Sequence, residues 1–166
     1  LLQAVSDLSR FREEHGSDLQ LSVNVSPIAV SREDFVDSVL DTLAEKNFPT
    51  RLLEIEITEN LLLSDRQDVI DKLKRLSAAG IRIAIDDFGT GYSSLSYLQK
   101  LPIDTLKIDR SFTRHLRGRE DGACIVNAIV AMAQGLNMGI VVEGVETLAQ
   151  LEHLREVGCT VIQGFL

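Results

Sequence analysis

The sequence predicts an α/β fold built on a parallel sheet, and three observations predict it. Six short apolar runs alternate with stretches of helical periodicity along the whole chain, which is the pattern of right-handed βαβ units. Gly16, Pro27, Gly80, Pro102 and Gly158 punctuate the changes of period. Each strand carries one aliphatic face, while its other face turns polar near the C-terminal end.

The elements follow in order. Leu1 to Glu14 reads as a helix with Leu1, Val5, Leu8 and Phe11 on one stripe, ended by Gly16. Leu19 to Val25 is a strand stopped by Ser26-Pro27. Ser31 is placed to cap the next helix, with Glu33 and Asp34 in its first turn and Phe35, Val36, Val39, Leu40 and Leu43 on its buried stripe. Arg51 to Thr58 is a strand. Ser64 and Gln67 form a capping box for the helix of Val69, Ile70, Leu73 and Leu76, closed by Gly80. Ile81 to Ile85 is a strand that runs into Asp86-Asp87 and the glycine-hinged Phe88-Gly89-Thr90-Gly91. Leu95 to Leu101 is a short helix, Thr105 to Ile108 a strand, and Arg114 to Asp121 a solvated loop. A helix from about Asp121 to Leu136 buries Ile125, Ile129 and Met132. Ile140 to Val142, Thr147 to Val157 and Thr160 to Ile162 complete the series as strand, helix and strand. No repeat or linker interrupts residues 1–166, so the chain reads as one domain.

Composition bounds the function. A chain of 166 residues is long enough for one hydrophobic core. The net charge of −8 and pI near 4.9 leave no basic face, so duplex nucleic acid is not expected as a partner. A small phosphate ligand stays compatible if bound metal reverses the local sign. No apolar run approaches the roughly 20 residues of a membrane span, and the opening in a helix carries the expectation of no signal peptide. Cys124 and Cys159 are isolated, which fits a reducing, cytoplasmic setting. His15, His115 and His153 share no spacing that suggests a site.

The chemistry lies at the strand ends. Asn24, Glu56, Asp86, Lys107, Glu143 and Gln163 each fall at or near the C-terminal end of a predicted strand, where open α/β sheets and barrels place their active groups. Adjacent carboxylates such as Asp86 and Asp87 repel unless a proton or cation shares the site. An N-cap with an Asx turn would account for that pair alone, but not for polar ends on every other strand. Buried acids must be paired or coordinate metal. Asn24, Glu56, Asp86, Asp87 and Glu143 offer only oxygen donors, which selects Mg²⁺ or Mn²⁺ over zinc or copper. Their number suggests two ions, the arrangement that serves phosphoester hydrolysis at separations of about 3.5–4 Å. Lys107 on the same rim could orient water, neutralise phosphate or pair with an acid.

These residues resemble a known family. SVNVS at 22–26, EITEN at 56–60, DDFGTGYSSL at 86–95, LKIDRSF at 106–112, VVEGVE at 141–146 and VIQGF at 161–165 are similar to the ordered motifs of EAL domains, the bacterial cyclic di-GMP phosphodiesterases. The resemblance implies a TIM-like (β/α) barrel, incomplete in this chain, with about six βα units. It implies linearisation of cyclic di-GMP to 5′-pGpG by in-line attack of a water activated by two Mg²⁺ or Mn²⁺ ions. Asn24, Glu56 and Asp86 would hold one metal. Asp86 would bridge to a second, supported by Asp87 and Glu143. Lys107 would orient or deprotonate the nucleophile, and Gln163 would lie near substrate or the metal-water network. Glu59, otherwise only a loop acid, would anchor the loop Phe88 to Ser94 and so couple metal binding to formation of a homodimer. The family's Glu-Ala-Leu motif, on the first barrel strand, is absent because the chain opens in the following helix. The expectation is therefore the central portion of a single domain, within a protein carrying sensory or GGDEF-type domains and possessing a cytoplasmic catalytic part, even if attached to a membrane. A catalytically inactive cyclic di-GMP receptor is the alternative. An enolase-type barrel also places acids and a lysine on strand ends, but it gives no account of DDFGTGYSSL.

Overall fold

The structure, a computed structural model, describes residues 1–16, 18–62, 67–89, 98–116 and 120–166. The chain divides into two compact units, Leu1–Ile57 with Ser64–Ile83, and Thr58–Leu63 with Ala84–Leu166.

In the first unit, helix α1 (Leu2–His15) ends at Gly16, whose φ of 62° suits a residue without a side chain. Only Val5 of its predicted stripe is buried, while Leu1 and Phe11 stay exposed. Strand β1 (Leu21–Asn24) pairs in parallel with β2 (Leu53–Thr58), from Leu21 opposite Leu53 to Asn24 opposite Glu56. Between them lie α2 (Pro27–Ser31) and α3 (Phe35–Glu45). Ser26 caps α2, and Pro27 fills its first turn, where a missing N–H leaves nothing unsatisfied. The predicted cap at Ser31 is corrected. Its hydroxyl donates to the Pro27 carbonyl at 2.9 Å and so belongs to the end of α2. Asp34 stands at the start of α3, but its carboxylate is taken by Arg32 at 3.0 and 2.7 Å. Helix α3 buries Phe35, Val36, Val39 and Leu43, with Leu40 half-buried at the edge of the stripe. Helix α5 (Gln67–Ala78) buries Val69, Ile70, Leu73 and Leu76 as its periodicity predicts. Ser64, half of the predicted capping box, lies outside the described residues. With Leu53, Ile55, Ile57, Ile81 and Ile83 these side chains form the unit's core.

The second unit contains α4 (Glu59–Leu62), the end of β3 (Arg82–Phe88), β4 (Thr105–Ile108), β5 (Gly139–Glu143) and β6 (Val161–Gln163). Strands β3 to β6 pair in parallel, each with the next in chain order. Their connections carry α6 (Arg110–Thr113), a 3₁₀ turn at Arg114–Leu116, α7 (Glu120–Gly135) and α8 (Leu148–Glu156). The predicted strand ending at Ile85 is corrected: β3 runs through both aspartates to Phe88. The first residues of the predicted Leu95–Leu101 helix lie outside the described ones, as do residues 117–119 of the predicted loop. Helix α7 buries Val126, Ile129, Val130 and Ala133, whereas Ile125 is 49% exposed and Met132 half-buried. The segment is apolar around most of its circumference, so periodicity alone does not select the inward face. Helix α8 opens with a complete capping box of Thr147 and Gln150. No helix among the described residues is long and apolar enough to cross a membrane.

The rotated stripe of α7 is testable by a matched pair. Ile129→Ala lowers unfolding stability by about 2–5 kcal/mol, and Ile125→Ala by less than about 0.5 kcal/mol. Chemical denaturation of both variants decides it, and equal losses would restore the stripe read from periodicity.

Candidate functional site

The second unit gathers most of the predicted polar strand ends. Ile85 stands opposite Leu106, but Phe88 stands opposite Ile108, so Asp86 and Asp87 together face Lys107. This is a β-bulge, which twists a strand locally and re-aims its side chains. Asp87 takes a φ of 54°, a left-handed conformation that Asp tolerates better than most residues. Its N–H donates to Asp86 Oδ1 at 3.1 Å.

Lys107, on β4, is only 7% exposed. Its Nζ lies 3.1 Å from Asp86 Oδ1 and 2.8 Å from Glu143 Oε1. A buried ammonium is tolerated only when paired in this way. Asp87 and Asp109 extend the acidic cluster. Burial, then the charges of Asp86, Asp109 and Glu143, push the Asp87 carboxyl above its ordinary range, against the pull of Lys107. At Asp109 burial also opposes ionisation. Hydrogen bonds from Ser111 and Arg110, and the Arg110 charge, outweigh it and hold the carboxyl below its ordinary range.

The cluster is therefore short of positive charge, and its donors are carboxylate oxygens. Those properties fit a hard divalent cation. Among the described residues, no group of three or more His, Cys, Asp or Glu side chains is gathered closely enough to form a metal site by itself.

Glu59 opens α4 and is buried. Its Oε2 accepts the Gly89 N–H at 2.9 Å. Gly89 has a φ of 97°, and a Cβ there would meet the Phe112 ring at 2.6 Å. Glycine is thus required where the chain leaves β3. Thr90 to Ser94, the rest of the predicted loop, lies outside the described residues.

Gln163 ends β6 directly opposite Glu143 and is exposed. Both border a cleft of about 420 Å³, completed by Arg110, Gly144, Glu146, Gly164 and Phe165. Arg110 and Glu146 fall inside the LKIDRSF and VVEGVE stretches, but residue type alone assigns them no role; their signal is position, two and three residues past the ends of β4 and β5.

In the first unit, Asn24 ends β1 and is exposed, while its register partner Glu56 is 6% exposed. Glu54, one pleat earlier and equally buried at 6%, has its charge answered locally. The Ser22 hydroxyl donates to its Oε1 at 3.1 Å, and Arg82 Nε lies 3.7 Å from its Oε2.

A family model described as EAL domain matches residues 1–166. The bifunctional diguanylate cyclase/cyclic di-GMP phosphodiesterase MucR of Pseudomonas aeruginosa is 46% identical over 150 residues, covering 90% of this chain and 22% of that protein. The chain spans about a fifth of the length of the curated relatives it matches. The solved PaMucR phosphodiesterase, in complex with c-di-GMP, is similar with a TM-score of 0.92 at 42% identity, over 98% of this chain and 66% of that one. Klebsiella pneumoniae BlrP1, solved with manganese and cyclic di-GMP, has a TM-score of 0.85 at 31% identity, over 99% of this chain and 42% of that one. These likenesses show the fold class, an α/β, TIM-like (β/α) barrel that is incomplete in this chain.

The charge shortage has a pH signature. Asp87's raised pKa favours its protonated form in the folded state. That contribution is present below the ordinary carboxylate pKa of about 4 and lost as pH rises through the raised value. Asp87→Asn is thus expected to raise the unfolding temperature of metal-free protein at neutral pH, with the gain shrinking toward about pH 3. Thermal scans in chelator across that range check it, and a gain that grew on acidification would contradict the repulsion.

Proposed function

Because the chain belongs to the EAL domain family, we propose that it is the central portion of a single domain that hydrolyses cyclic di-GMP to 5′-pGpG. The observation that carries this reading is the Asp86–Lys107–Glu143 bridge at adjoining strand ends, set among carboxylates short of positive charge. The manganese and cyclic di-GMP complex of BlrP1 supports a divalent metal and this substrate class.

Asn24, Glu56, Asp86, Asp87 and Glu143 are the residues proposed to hold two Mg²⁺ or Mn²⁺ ions. When bound, the ions would activate water and offset the charge of the phosphodiester. Lys107, held as an ammonium between two carboxylates, donates hydrogen bonds and therefore orients the attacking water rather than removing its proton. Glu143 serves both Lys107 and the metal set. Gln163, across the ladder from Glu143 and on the cleft wall, contacts substrate. Glu59 anchors the loop through Gly89 and links metal binding to a homodimer. Further sensory or GGDEF-type domains, and a cytoplasmic location, belong to the same proposal.

The test incubates the full-length protein with cyclic di-GMP and Mg²⁺ or Mn²⁺ and separates the products. Metal-dependent 5′-pGpG is expected. Ligand bound but left intact would make this domain a receptor. Asp86→Asn is expected to lower turnover by more than about a hundredfold, beyond the loss that follows from disturbing residues behind a ligand. Turnover within a few-fold of wild type would remove Asp86 from the metal set. Glu59→Leu, which cannot accept the Gly89 N–H, should weaken both the metal dependence of activity and self-association. Titration and light scattering check that pair, and two unchanged curves would refute the anchor role.

A further inference from the structure

Glu143 is the last residue of β5, and its carboxylate reaches Lys107 on β4. Something must hold the ends of these two strands at that spacing, because strand ends fray where ladder bonds stop. Resting on the phosphodiesterase reading above, we propose that Thr113 and Gln150 are positioning residues for the reaction, setting the reach of Glu143 toward Lys107.

The connection runs through buried polar groups. Beyond Lys107 and Ile108, Asp109 caps α6 by accepting the Ser111 N–H at 2.9 Å. That short helix delivers Thr113, which is fully buried at 0% exposure. The Thr113 hydroxyl lies 3.0 Å from the Glu143 carbonyl oxygen, 3.2 Å from that of Gly144 and 2.9 Å from that of Arg110. Its single proton is shared among three acceptors, one on the last residue of β5 and one on the turn that follows it. Gly144 takes a φ of 68°, and a Cβ there would lie 2.5 Å from Arg110 Cβ. The turn and α6 are therefore in backbone contact, with no room for a side chain between them.

Gln150 closes the connection from the other side. It is 1% exposed. Its Nε2 donates to the Thr113 carbonyl at 2.8 Å, while its Oε1 accepts the N–H groups of Glu146 at 2.9 Å and Thr147 at 3.0 Å. One amide thus binds the end of α6 and the start of α8. The bond from Gln150 to the Thr113 carbonyl is buried, so losing it leaves a buried polar atom unsatisfied. The carbonyl of Glu143 that Thr113 holds belongs to the same residue as the carboxylate that meets Lys107. A shift of the peptide moves the carboxylate with it.

A purely structural role would lower stability and leave the chemistry of the folded fraction intact. The test therefore compares Thr113→Val, which keeps the shape and removes the hydroxyl, with Thr113→Ser, which keeps the hydroxyl. Both are made in the full-length protein and measured for Mn²⁺ binding, cyclic di-GMP hydrolysis and thermal unfolding. Thr113→Val is expected to weaken Mn²⁺ binding and lower kcat by about tenfold each, the usual effect of losing a group behind a ligand. KM for cyclic di-GMP should change less than about threefold, since substrate contacts stay in place. Thr113→Ser should recover both. If Thr113→Val does not fold, Gln150→Met carries the same expectation, because it keeps the length and neutrality of the side chain while removing its bonds to Thr113, Glu146 and Thr147. Wild-type Mn²⁺ affinity and kcat in the folded fraction of the variant would overturn the positioning role alone. Wild-type protein that neither binds Mn²⁺ nor cleaves cyclic di-GMP would overturn the phosphodiesterase reading and this role with it.

Discussion

Lys107 carries its charge to a position almost closed to water, and a charge so placed costs several kcal/mol unless opposite charges meet it, roughly. Asp86 from one neighbouring strand and Glu143 from the other supply them. Much of the second unit follows from that requirement. β4 must lie between β3 and β5, which the parallel order of the sheet provides. β3 must bulge so that Asp86 and Asp87 share one partner position. The turn after β5 must be glycine, because α6 packs against its backbone. Burial first, and then the charges of Asp86, Asp109 and Glu143, hold the Asp87 carboxyl above its ordinary range despite the Lys107 ammonium.

The first unit meets the same constraint differently. Glu54 and Glu56 are equally buried on β2. Glu54 is answered within the unit by a hydroxyl and a guanidinium. Glu56 lies one pleat nearer the strand end, in register with Asn24. Glu54 and Glu56 share one face of β2, so their position along the strand, not its alternation, separates a structural acid from the residue proposed to work with metal.

Much of this is legible in residue order. Strand order, the period of α3 and α5, and the polar C-terminal ends all rest on local patterns that burial enforces. Other expectations fail for physical reasons. Ser31 stands where a cap is common, but Pro27 starts a helix earlier and draws that hydroxyl to its own carbonyl. Ile125 is as apolar as Ile129, so only packing can choose between them. Leu1 and Phe11 share a helical stripe with Val5, yet only Val5 is buried.

The sequence by itself determined the α/β alternation and the family, because each is written in residue type and spacing; the same residue types name the oxygen donors proposed for metal. Tertiary structure decided the rest of the site. No spacing rule places Thr113 against the Glu143 carbonyl, or Gln150 against Thr113, since these contacts join residues 30 and 37 positions apart. The bulge at Asp86-Asp87 likewise depends on which residues of β4 lie opposite. Distances of about 3 Å between residues remote in the chain arise only when packed elements bring their ends together, and a hydrogen bond tolerates little error in that placement.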